Sequence, residues 1–139
     1  MTWYHQQVLT MRAALYPHQD LVDRMVRAKR YIDEQYGSDI DLDTLARQAC
    51  MSKFHFIRLF TRYYGLTPNV YLRDVRMTHA RKLLQQGIPI RHVCYAVGFD
   101  SIPSFTRLFK QRTGMTPKSA ILDKKVPAAP AIFVKKQQP

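Results

Sequence analysis

Apolar residues in the first third of the chain recur at steps of three and four. Between residues 20 and 37, Val22, Met25, Val26, Ile32 and Tyr36 share one stripe, with Lys29 in the same register. That spacing predicts a helix over 20–37, with Asp20 as its N-cap and Gly37 as its stop. Pro17 sets off residues 3–16, whose apolar residues (Trp3, Val8, Leu9, Met11, Leu15) fit a docked helix or a linker remnant. A short helix is expected at 42–49 behind Asp41, and another at 53–64 behind Ser52. Gly65 ends the latter, and Thr67-Pro68 forces a break. In 69–86 the apolar positions Val70, Leu72, Val75, Ala80, Leu83 and Leu84 spread around the helix, as in one buried on more than one side. Two further helices, 90–97 and 104–113, flank the turn Gly98-Phe99-Asp100, and Gly114 closes the second. No stretch alternates with a period of two, so the fold class is all-α.

An internal repeat organises these helices. FIRLFTRYYGLTP (56–68) aligns without a gap with FTRLFKQRTGMTP (105–117), and seven of thirteen positions are identical. Upstream, Leu45-Ala46 aligns with Val93-Cys94, one residue out of step because the second turn is longer. Each unit is a short helix, a tight turn and a second helix, the arrangement of a helix-turn-helix. The chain then divides into an N-terminal segment (1–19), a first helix-turn-helix subdomain (20–68), a linker helix (69–86) and a second such subdomain (87–120). A basic tail (121–139), rich in proline and lysine, is expected to be flexible.

Charge gives the repeat a partner. The 139 residues carry 22 Lys+Arg against 10 Asp+Glu, a formal net charge of +12. The excess sits in the middle: residues 44–118 hold 13 basic side chains and only 2 acidic ones, Asp74 and Asp100. A basic folded segment points to a polyanion, most often nucleic acid.

The second helix of such a unit packs one face on the first helix and offers the other to the major groove. In 53–64, Phe56, Leu59, Phe60 and Tyr63 fall on one stripe. Lys53, Phe54, Ile57, Arg58, Thr61 and Arg62 fall on the other, with His55 beside them in the first turn. In the second unit Phe105, Leu108 and Phe109 face in. Ser101, Ser104, Thr106, Arg107, Lys110 and Gln111 make up the candidate outer set. Neither outer set contains an acid. Arg suits a guanine edge, Lys and Thr suit phosphates, and an apolar side chain can meet a thymine methyl.

At this level of detail the chain resembles the DNA-binding domain of the AraC/XylS family of bacterial transcription regulators. The resemblance rests on LARQACMSKFHFIRLFTRYYGLTPNVYLRDVRMTHARKLL (45–84) and IRHVCYAVGFDSIPSFTRLFKQRTGMTP (90–117). It implies seven helices, two helix-turn-helix units, a rigid linker helix and sequence-specific binding to double-stranded promoter DNA. RNA polymerase is expected as a further partner, met by the acidic segment 20–43 and the tyrosines. Three positions depart from the family. Cys50 stands where glycine is usual, and carries a strain of roughly 1–2 kcal/mol if the turn needs a positive φ. Cys94 stands where alanine is usual, and Pro103 where serine is usual. Ile102 and Pro103 leave the start of the second recognition helix without a base-reading group, so that unit is expected to supply more phosphate affinity than sequence reading.

Other chemistries fare worse. Phosphate loops, nucleophile elbows and paired-carboxylate sites are missing from the sequence, so an enzyme is not expected. Asp39, Asp41 and Asp43 hint at a calcium loop, but Thr44 replaces its glycine and Cys50 its closing glutamate. Cys50, His55, His92 and Cys94 lack zinc-finger spacing, and both cysteines are expected to be buried and structural. No cofactor, metal or membrane partner is therefore expected, and two cysteines without a leader fit a cytoplasmic protein. Because the chain already carries two unlike reading helices, a monomer is expected to suffice on a non-palindromic site. About 18 residues at 1.5 Å each make the linker a spacer of about 27 Å. A Gly-Gly replacement at Ala80-Arg81 is then expected to weaken binding beyond its effect on folding.

Overall fold

The computed structural model describes residues 3–15 and 17–122. Among these residues every regular element is a helix: α1 (Trp3–Leu15), α2 (Pro17–Gln35), α3 (Leu42–Gln48), α4 (Lys53–Tyr64), α5 (Pro68–Gln85), α6 (Ile90–Ala96), α7 (Ile102–Thr113) and α8 (Pro117–Leu122). The expectation of a flexible tail falls mostly outside the described residues. Its first two positions, 121 and 122, are the end of α8.

Local chemistry explains most boundaries. Asp41 caps α3 by accepting from the Thr44 amide at 2.7 Å, and those hydrogen bonds hold its carboxyl below the usual range. Ser52 caps α4 and Thr67 caps α5, each accepting from the amide three residues on. Gly65 and Gly114 close α4 and α7 in the left-handed conformation, φ 74° and 80°. Two expected starts move: α7 opens at Ile102 rather than at 104, and α2 opens earlier than 20. Helix α2 starts at Pro17, so the proline opens it rather than standing apart from it. Asp20 therefore lies inside the first turn and pairs with Arg24 at 2.9 Å instead of capping. Helix α8 was not expected. It repeats the opening of α5, because Thr116 accepts from the Ser119 amide at 3.2 Å and Pro117 follows it, as Pro68 follows Thr67.

Two cores hang from α5. Its N-terminal half sends Tyr71, Leu72 and Val75 into a cluster with Met25, Ile32, Leu45, Phe56 and Phe60. Its C-terminal half sends Met77, Ala80 and Leu84 into a second cluster with Val93, Cys94, Val97, Phe105 and Phe109. Each fully buried aromatic or aliphatic side chain contributes about 1.5–3 kcal/mol. The stripe of α2 is corrected by one position: Met25, Ala28 and Ile32 are buried, whereas Val26 is 42% exposed. Ala80 and Arg81 are both buried. A Gly-Gly replacement there damages the second core directly, so it cannot report linker stiffness separately from folding. Helix α1 packs on α2.

Candidate nucleic-acid interface

The two turns share one hydrogen-bond pattern. In the first, the Cys50 amide donates to Arg47 O at 3.0 Å and the Met51 amide to Ala46 O at 3.1 Å. In the second, Gly98 donates to Tyr95 O at 3.1 Å and Phe99 to Cys94 O at 3.0 Å. Both are Schellman endings whose central residue is left-handed. Cys50 (φ 56°) takes the place that Gly98 (φ 92°) fills, and it is the one non-glycine residue with positive φ among the described residues. This geometry overturns one expectation: Cys50 is exposed, and only Cys94 is buried. Burial raises the pKa of the Cys94 thiol. Beyond the pattern the turns differ by one residue, Asp100, before Ser52 and Ser101 cap the following helices.

The matched turns set α4 and α7 in equivalent slots. On α4, Phe56, Leu59 and Phe60 are buried, while Lys53, Phe54, His55, Arg58 and Arg62 are exposed and Ile57 and Thr61 half-buried. Phe54 leaves 75% of its surface open, which suits an apolar base contact better than a core. The Thr61 hydroxyl donates to Ile57 O at 2.7 Å, and its oxygen keeps its capacity to accept. On α7, Ser104, Arg107, Lys110 and Gln111 are exposed, while Ser101 and Thr106 are half-buried. The Ser101 hydroxyl accepts from the Ser104 amide at 3.2 Å and donates to the Ser104 hydroxyl at 3.1 Å. Ser101 thus builds the helix start. Ile102 packs against the second core, and Pro103 occupies the first turn.

Three contacts near these helices escaped the sequence reading. Asp43, on α3, comes within 3.5 Å of Lys53, so the acid-free description holds for α4 itself but not for its neighbourhood. Arg112 turns inward from α7 to Asp74 on α5, at 3.3 Å. Burial pushes the Asp74 carboxyl up and Arg112 only partly offsets it. Arg76, on α5, donates to two carbonyls beyond the end of α2. The one available signal was Asp74 itself, a lone acid within a long basic segment. Among the described residues no group of three or more His, Cys, Asp or Glu could hold a metal ion. No described helix is long and apolar enough to cross a membrane.

Comparison with known proteins agrees with this geometry. A family model described as a helix-turn-helix domain matches residues 45–121. The chain is similar to the probable transcription factor PqrA of Proteus vulgaris, 36% identical over 84 residues that cover 60% of this chain and 69% of that protein. It is also similar to AdaA of Bacillus subtilis, a bifunctional transcriptional activator and DNA repair enzyme, 35% identical over 88 residues that cover 63% of this chain and 42% of the relative. Among solved structures, the DNA-binding domain of the global transcriptional factor AdpA, in complex with a target DNA, matches with a TM-score of 0.68 at 25% identity. That match covers 70% of this chain and 89% of that one. The chain spans only 28% to 42% of the length of several curated relatives that it matches. Paired Schellman turns, two equivalent recognition helices and these matches together place the chain in the AraC/XylS family of helix-turn-helix transcription regulators.

Proposed function

We propose that this protein regulates transcription by inserting α4 and α7 into successive major-groove turns of promoter DNA. The observation that carries the reading is the pair of matched outer faces: two helices held by the same turn geometry, each with its aromatic stripe buried, with Lys53, Arg58 and Arg62 exposed on α4 and Arg107 and Lys110 exposed on α7. Arg58, mid-helix between Phe54 and Arg62, reads a base edge, and Phe54 meets a thymine methyl. Lys53, Arg62 and Lys110 take phosphates. Ser104, Arg107 and Gln111 form a weaker second reader, because Ile102 is spent on the core. One chain suffices, and RNA polymerase is met by the acidic stretch 20–43, where Glu34 and Asp39 are exposed. The protein acts in the cytoplasm, as a regulator and not an enzyme, without a cofactor.

A salt series on a bound duplex tests this with one variant. Wild-type affinity is expected to fall at least tenfold between 50 and 200 mM salt, on the order of what several released counterions require. Arg58→Ala is expected to cost about 1–3 kcal/mol and to relax preference at one or two base pairs. A flat salt profile contradicts DNA binding. Equal loss on every sequence makes Arg58 a phosphate contact only.

A further inference from the structure

The end of α2 reaches beyond its own helix-turn-helix unit. Arg76, midway along α5, donates Nε to Tyr36 O at 2.8 Å and Nη2 to Ser38 O at 3.0 Å. The same guanidinium lies over the Phe99 ring, 5.8 Å from its centroid. It also lies against Gly98, where an added Cβ would come within 3.0 Å of it. One turn further along α5, His79 stacks on Tyr36 with centroids 3.9 Å apart and planes 5° from parallel. Gly37 completes the contact, since a Cβ there would stand 2.6 Å from Ala96 O, the last residue of α6. The first unit's α2, the centre of the linker and the turn of the second unit therefore meet at one point.

We propose that Arg76 is a positioning residue that staples the two helix-turn-helix units into one rigid reader. It fixes the spacing and angle between α4 and α7. The proposal rests on the reading above that both helices enter DNA. The linker helix alone leaves each unit fastened to one half of α5, free to rock about its own attachment. Arg76 closes the triangle. Arginine suits the task because one planar fork serves two carbonyls while its face covers a ring, which a lysine ammonium cannot do. A cation is also favoured there, because the carbonyls past a helix C-terminus lack intrahelical partners and carry its negative end. Burial lowers the Arg76 pKa, with Asp39 opposing, and the group remains a cation. Rigid tandem readers gain from a high effective concentration only at the spacing they are built for. The staple thus makes half-site spacing a specificity element.

The test uses Arg76→Ala, Arg76→Lys and, from the opposite side of the contact, Gly37→Ala. Spin labels at Arg47→Cys on α3 and Lys118→Cys on α8, in a Cys50→Gly background, report the distance between units in the free protein. Wild type is expected to give one narrow distribution. Arg76→Ala and Gly37→Ala are expected to broaden it, and Arg76→Lys to fall between. On DNA, Arg76→Ala is expected to lose roughly tenfold on the two-half-site duplex and to stay within about twofold on each half-site alone. Its penalty for a spacer changed by one base pair should flatten. Equal losses on half-sites and whole site, or an unchanged distance distribution in both Arg76→Ala and Gly37→Ala, overturn the staple. If wild type binds one half-site as tightly as two, the two-helix reading of function fails instead, while the distance measurement still decides the staple.

Discussion

Cys50 shows how much one residue can carry. Its left-handed backbone follows from the Schellman turn, whose second copy uses glycine at the same point. The strained turn is tethered from outside: Arg24, itself paired with Asp20, donates Nη1 to Cys50 O at 3.3 Å. A left-handed non-glycine residue costs about 1–2 kcal/mol, while glycine loses about 0.5–1 kcal/mol more to chain entropy on folding. Cys50→Gly is therefore expected to stabilise the fold by up to about 1 kcal/mol, and Cys50→Val, β-branched at positive φ, to destabilise it. Urea unfolding of both variants checks this, and equal midpoints for Gly and Val contradict a strained turn. The need for a positive φ was legible once Cys50 was aligned with the family's glycine. Its exposure was not, because apolar character says nothing about where a turn's Cβ points.

At the level of elements, periodicity located six helices and misjudged what holds them. It placed α4 to the residue, because Ser52 and Gly65 bracket it with unambiguous caps. It missed α8, although the second Thr-Pro repeats the signal that opens α5. It gave Arg112 and Asp74 no structural part, since a pair 38 residues apart in sequence leaves no local trace. Structurally that pair docks α7 on the linker helix. Asp74 is buried and its second carboxylate oxygen has no hydrogen-bond partner, so removing Arg112 strands a buried charge. Arg112→Ala is expected to destabilise by about 2–4 kcal/mol, near the lower part of the range for a broken buried pair because the guanidinium is partly solvated. Replacing both partners, Arg112→Met with Asp74→Leu, is expected to recover most of that loss. Thermal unfolding of the single and double variants measures it. An Arg112→Ala midpoint equal to wild type would show that the ion pair contributes nothing to docking.

Across the whole molecule, α2, α5 and the second turn meet at one junction. His79 lies in it, and burial, then Lys82, lower its pKa from the usual 6.5, with Asp33 opposing. The folded state thus binds this proton less readily than the unfolded chain. Stability is full above pH 6.5 and declines as pH falls below that value, where the unfolded state takes up more protons. His79→Phe, which keeps an aromatic ring on Tyr36, is expected to flatten this slope. Urea midpoints between pH 5 and 7.5 give the comparison, and an equal slope in the variant assigns the effect elsewhere. None of this junction was legible in the sequence. Gly37 reads there as a helix stop and Arg76 as one basic residue among many, since each acquires its role from a distant backbone carbonyl.

We propose that one chain reads two unlike half-sites in tandem with α4 and α7. Selection of bound duplexes from a random pool, with the stoichiometry of the selected complex determined by sedimentation, tests it most directly. A non-palindromic site is expected, with two different half-sites about one helical turn, roughly 10 base pairs, apart. The half-site read by α4 should be the more sharply defined, and one chain should be bound. A palindrome occupied by two chains, or a single half-site with no second element, would contradict it.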